Sequence, residues 1–163
     1  MIKDTVLKAM NDQIQKELSS AYLYLSMAAA MDAQNLPGFA KWLKVQAEEE
    51  RGHGMKIYDH VCDRGGRVIL DAIEKPPSKF NSPLEVFEAV LEHERKVTAS
   101  IHKLYELAVR EKDYPTQTML HWFIAEQVEE EKTAEQILAE LQAVGERKHA
   151  LLFMDRHMGQ RGG

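Results

Sequence analysis

The chain has 163 residues, enough for one domain with a full core and little room for a second. Apolar residues make up 44% and charged residues 29%, and the net charge of −5 excludes the basic surface that a nucleic acid or an anionic membrane wants as partner. The single cysteine, Cys62, excludes an internal disulfide framework and a Cys-rich metal site, and is expected as a buried thiol in a reducing compartment.

Glycine and proline then divide the chain in order. Residues 4–32 hold neither, and the first helix is expected there. Asn35-Leu36-Pro37-Gly38 breaks the pattern, with Pro37 suited to the first turn of a second helix over 37–65, stopped at Gly65-Gly66. Residues 66–81, with "EKPPSKFN" at their end, read as loop. Ser82-Pro83-Leu84-Glu85 has the form of a capping box and starts a third helix over 83–112. "DYPT" restarts a fourth over 114–144, with Asp113 or Tyr114 near its cap and Gly145 at its end. A short fifth over 147–158 precedes the final glycines. No stretch approaches the roughly 20 apolar residues of a membrane span, and the N-terminus lacks a signal-peptide core, so a cytoplasmic location is expected.

The apolar spacing is helical throughout. The stripes expected to be buried are Ile14, Leu18, Ala21, Leu25 and Ala28; Phe39, Leu43, Ala47, Ile57 and Val61; Phe87, Leu91, Ile101, Leu104 and Ala108; and Leu120, Phe123, Ala134, Ile137 and Leu141. Short turns make the first and second helices antiparallel, and likewise the third and fourth. The sixteen residues of 66–81 can reach about 54 Å when extended. That exceeds the roughly 42 Å of a 28-residue helix. The loop therefore crosses the whole bundle, and the second and third helices run parallel. The fold class is all-α: a four-helix bundle with one long crossover and a short C-terminal fifth helix.

Polar residues interrupt these stripes at one height. Glu50 and His53 continue the second, Glu17 and Tyr24 lie within the first, Glu94 within the third, and Gln127 and Glu130 within the fourth. The same 33-residue spacing separates Glu17 from Glu50 and Glu94 from Gln127, and a further ligand type follows the second member at i+3 in each case. A lone Glu-x-x-His says little, since Glu146-Arg147-Lys148-His149 is another, expected at the surface. Buried carboxylates need partners, and no lysine or arginine lies on these stripes. One Glu from each of two helices, with Glu-x-x-His-like pairs from the other two, is how a bundle holds a pair of iron ions. Oxygen-rich ligation with one imidazole suits iron better than a structural zinc.

"NDQIQKELSSAYLYLSMA", "AEEERGH", "RGGRV", "EKPPS", "LEHERKVT" and "AEQVEEE" together resemble the bacterial-type non-haem ferritins over essentially the whole chain. The resemblance implies a first iron site of Glu17, Glu50 and His53, and a second of Glu50, Glu94 and Glu130, bridged by Glu50 with Gln127 alongside. It implies a third, weaker site of Glu49, Glu126, Glu129 and Glu130, a tyrosine beside the centre at Tyr24, and a nearby aromatic at Trp122 whose alternative is plain packing. Met27, Met31, Met55 and Met119 are core or interface. Arg51 stands where the haem-ligating methionine of bacterioferritins falls, so no haem is expected.

The implied function is iron storage with ferroxidase activity. Two Fe(II) ions per chain are oxidised by O₂ or peroxide, and ferric oxyhydroxide is deposited inside a shell of 24 chains in octahedral symmetry. An electron donor for iron release is expected but not identified. The alternatives are a di-iron peroxidase or oxidase that stores no mineral, and a structural assembly whose metal site has no turnover. In the tail, "ALLF" would need a partner surface if exposed.

Overall fold

The computed structural model describes residues 1–162, which form five helices. They are α1 (Asp4–Ala33), α2 (Pro37–Asp63), α3 (Pro83–Arg110), α4 (Tyr114–Val144) and α5 (Lys148–Met158). Among the described residues no helix is long and apolar enough to cross a membrane.

Local chemistry accounts for the ends. α1, α2 and α3 each stop with one residue in the left-handed region, Asn35 at φ 58°, Gly65 at 71° and Lys112 at 55°. The amide of the following residue then bonds back five positions, from Leu36 to Met31, Gly66 to Val61 and Asp113 to Ala108. This 6→1 bond satisfies carbonyls that a helix end leaves open. Ser82 caps α3 by accepting from the Glu85 amide, and Asp113 caps α4 by accepting from that of Thr116.

The crossover lies along α1 for almost its whole length. Asn11 bonds the backbone at Arg67 and Ile69, Gln15 bonds the Ala72 carbonyl, Ser26 that of Pro77 and Gln34 that of Phe80. Loop and helix numbers rise together, so the loop delivers α3 to the far end of the bundle, antiparallel to α1 and parallel to α2. This is the single-crossover topology expected from the length of the loop.

The core comes in two apolar halves. One gathers Met27, Met31, Phe39, Leu43, Phe87, Val90, Ile137 and Leu141, and the other Val6, Met10, Ile14, Ile57, Val61, Ile101, Leu120 and Phe123. Between them the inward positions are polar.

Two expectations about the core need correction. Leu25 is 47% exposed, because the buried stripe of α1 follows Ile14, Glu17, Tyr24 and Ala28, all expected within it, and fills the positions between with Ser20 and Met27 in place of Ala21 and Leu25. Cys62 is exposed rather than buried: Val61 takes the inward position, and the next residue is turned about 100° away.

α5 packs on the start of α2. Leu36, at the cap position of α2, offers no side-chain acceptor. Asp155 of α5 supplies one, its Oδ1 accepting from the Phe39 amide at 2.9 Å. A side chain at Gly38 would overlap the Asp155 backbone, so the glycine is what permits the approach. A cap is worth about 0.5–2 kcal/mol. Asp155→Ala should therefore lower the melting temperature of the metal-free protein by about 5 °C, with Asp155→Asn recovering most of it. A melt unchanged in D155A would show that the contact contributes nothing.

Candidate metal centre

Each helix of the bundle sends polar side chains into the layer between the two apolar halves. Glu17, Glu50, Glu94, Gln127, Glu130 and His53 are all buried there. The repeated helical period produces the clustering: each residue continues an inward stripe, and each lies near the middle of its helix.

The carboxylate and imidazole donors close into groups. Glu17, Glu50 and His53 bring one donor atom each to within 4.8 Å of one another, and so do Glu50, Glu94 and Glu130. Glu50 belongs to both groups. A third group of His53, Glu126 and Glu130 adjoins them. The His53 Nδ1 lies 3.4 Å from Glu50 and 3.9 Å from Glu17, and its Nε2 lies 4.0 Å from Glu126.

Not every expected residue enters such a group. Gln127 stands beside the second group, its amide donating to the Glu94 carboxylate at 3.1 Å and to Thr98 at 3.2 Å. The Tyr24 hydroxyl donates to the other oxygen of Glu94. Glu129 is exposed, and exposed Glu49 is paired with Arg161 at 2.6 Å. Trp122 stands edge-on to His53, 5.3 Å between ring centroids, with the Lys56 ammonium 4.2 Å above its face. Met27 and Met31 are core, whereas Met55 is exposed. The second Glu-x-x-His, at Glu146 and His149, is exposed.

Two residues that hold the centre together were not anticipated. The Gln13 amide donates to Glu17 at 2.8 Å, and that of Gln46 donates to Glu50 at 3.1 Å and Glu130 at 2.9 Å. Both are buried. A signal was present: each glutamine precedes its glutamate by four residues, and the two are again 33 apart. Amide donors thus take the place that lysine or arginine would otherwise fill.

These hydrogen bonds do not offset the cost of burying the charge. Burial, with Glu50 beside it, pushes Glu17 up to about 8. Burial and the neighbouring Glu94 push Glu130 up to about 7. Burial raises Glu94, and burial with Glu94 and Glu130 raises Glu50 well above the carboxylate range. Tyr24 is held far above its usual range by burial and by Glu94, and stays a phenol at neutral pH. Among the described residues one oxygen, Glu17 Oε2, is buried with no hydrogen-bond partner. An orphaned acceptor among carboxylates that resist ionising is what a cation would satisfy. The donors, one imidazole among carboxylate oxygens, fit a hard or borderline cation such as iron.

A family model for the ferritin-like domain matches residues 7–144. The bacterial non-heme ferritin of Bacteroides fragilis is 41% identical over 99% of this chain and 100% of its own. That of Staphylococcus epidermidis is 42% identical over 99% and 97%. Among solved structures, the open pore ferritin of the hyperthermophilic archaeon Archaeoglobus fulgidus superposes with a TM-score of 0.98 at 50% identity, covering 99% of this chain and all of that one.

Proposed function

The chain belongs to the ferritin family, and from that premise we propose that it is an iron-storage ferroxidase that takes Fe(II) as substrate at the buried centre. The observation that carries this reading is the shared carboxylate: Glu50 joins two three-donor groups, as a pair of adjacent ions requires. Glu17, Glu50 and His53 hold one Fe(II), and Glu50, Glu94 and Glu130 the other. The pair gives up two electrons to O₂ or peroxide. Hard anionic oxygens favour Fe(III) over Fe(II) and so favour the transfer.

The protein's own groups supply the rest. The Gln13 and Gln46 amides orient the carboxylates, and Gln127 and Tyr24 hold Glu94 from two sides. Such outer partners fix ligand geometry and basicity. Glu126, beside Glu130 and His53, belongs with Glu130, Glu49 and Glu129 to a third, weaker site, of which Glu49 and Glu129 are the exposed members. The resulting Fe(III) is hydrolysed and stored as oxyhydroxide.

Storage requires an enclosed space, and we assign it to a homo-oligomeric shell of 24 chains. The number is what the family resemblance implies, and support for contacts between chains comes from the apolar residues left outside the bundle. Tyr22 and Leu25 of α1, and Ile69, Leu70 and Ile73 of the loop lying on it, are exposed, as are Leu152 and Phe153 of α5. That much uncovered apolar surface marks contacts between chains.

Excess Fe(II), added in air to metal-free protein, should remain soluble with it at tens of irons per chain, in a particle far larger than one chain. A plateau near two, the capacity of a bundle's di-iron site, would instead establish a di-iron oxidase or peroxidase without storage.

A further inference from the structure

Beyond α5 the chain turns back to α2, and Arg161 reaches the edge of the metal centre. Its Nη2 donates to Glu49 at 2.6 Å. Its Nη1 donates to the Gln46 Oε1 at 3.0 Å and to the Trp42 carbonyl at 3.4 Å. The guanidinium also lies 4.3 Å over the Trp42 ring. Residues 42, 46 and 49 form one stripe of α2, so the planar fork is seated on a single helix face.

Gln46 is the next link inward. Its oxygen is taken by Arg161, which leaves its nitrogen for Glu50 at 3.1 Å and Glu130 at 2.9 Å. An amide turned the other way would set its NH₂ against the guanidinium and its oxygen against two carboxylates. The first contact is repulsive in any state, and the second is so once Glu50 and Glu130 are ionised, as cation binding requires. The guanidinium thus decides which end of a buried amide faces the centre, at the two carboxylates that also meet Glu94.

We propose that Arg161 is a positioning residue for the metal centre: it fixes the sense of the Gln46 amide, and through it the placing of Glu50 and Glu130. The C-terminal tail is thereby part of the centre's support. This rests on the reading of Glu50 and Glu130 as cation ligands, and the test separates the two.

Anaerobic calorimetric titration of the metal-free protein with Co(II) is the measurement, on wild type, R161A, Q46A, R161A/Q46A and R161K. Wild type should take up two Co(II) per chain, as a bundle's paired site does. Loss of an outer partner costs about tenfold or more in metal affinity, so R161A should weaken by about tenfold the step that draws on both Glu50 and Glu130, and weaken less the step that draws on Glu50 alone. Q46A should weaken the same step, and the double variant should be no worse than Q46A, since both act through one amide. Arg161→Lys keeps the charge near Glu49 but cannot span both partners, and should restore only part. An R161A isotherm that superposes on wild type overturns the inference and leaves the centre standing. Additive losses in the double variant, or full rescue by R161K, also overturn it, because Arg161 would then act by charge and not through Gln46. Wild-type protein that takes up no Co(II) overturns the reading of the centre itself.

Discussion

Glu50→Ala should abolish paired metal binding and reduce the rate of iron oxidation by on the order of 100-fold or more, beyond the 10–100-fold typical of losing an outer partner alone. The reason is its place in two donor groups at once. Removing Glu17 strips one ion of a ligand, and removing Glu94 strips the other. Removing Glu50 leaves Glu17 with His53 on one side and Glu94 with Glu130 on the other, two donors each, and nothing to join them. The same substitution carries a second signature. Glu50 resists ionising because it is buried beside Glu94 and Glu130, so the metal-free fold is under electrostatic load at neutral pH. Glu50→Gln keeps the volume and removes the need to take up a proton on folding. It should raise the melting temperature of the metal-free protein while losing the metal. Function lost and apo stability gained together are expected where a site is kept for chemistry and not for folding. A metal-free Glu50→Gln protein less stable than wild type at pH 8 would show the carboxylate to be a structural hydrogen-bonding residue instead.

Much of this architecture could be read from the chain because its signals are local or periodic. Pro37, Pro83 and Pro115 mark helix starts, and the length of 66–81 decides parallel against antiparallel by geometry alone. Phase is harder. On α1 the expected stripe takes in both Tyr24 and Leu25, and only Tyr24 faces inward, with Ser20 one turn before it, because a small hydroxyl carries little hydropathic weight. Cys62 failed for a related reason: cysteine is usually buried, and only the neighbouring Val61 shows which side faces inward. In the centre, glutamates at repeated spacing stand out as anomalies on apolar faces. Gln13 and Gln46 do not, although they obey the same spacing, since an uncharged amide on a helix raises no question about its partner. Arg161 could not be found at all. Its contact with Trp42, Gln46 and Glu49 spans more than a hundred residues and depends on α5 docking through Asp155.

The metal-free protein should lose stability as pH rises from 6.5 to 8, and a divalent cation should remove that loss. Glu17 at about 8 and Glu130 at about 7 hold their protons in the folded chain well above the 4.5 of an unfolded glutamate, and Glu50 and Glu94 are shifted the same way. The folded state therefore binds more protons than the unfolded one across this range. Each such carboxyl contributes stability that is complete below pH 4.5 and falls by about 1.4 kcal/mol per pH unit until its folded pKa is passed. Two histidines oppose this lower down. Burial holds His93 at about 4 and lowers His60, so both favour the folded state as pH rises towards 6.5. Above 6.5 their contribution is spent, and the carboxyls set the slope. A cation binds the deprotonated centre, so it releases protons on binding and gains affinity over the interval in which the empty centre destabilises the fold. Urea denaturation at pH 6.5, 7.25 and 8, with and without Zn(II), reads both curves. Metal-free stability that stays level over this interval would mean that the four carboxyls ionise freely in the fold, and that the glutamine amides alone neutralise the cost of their burial.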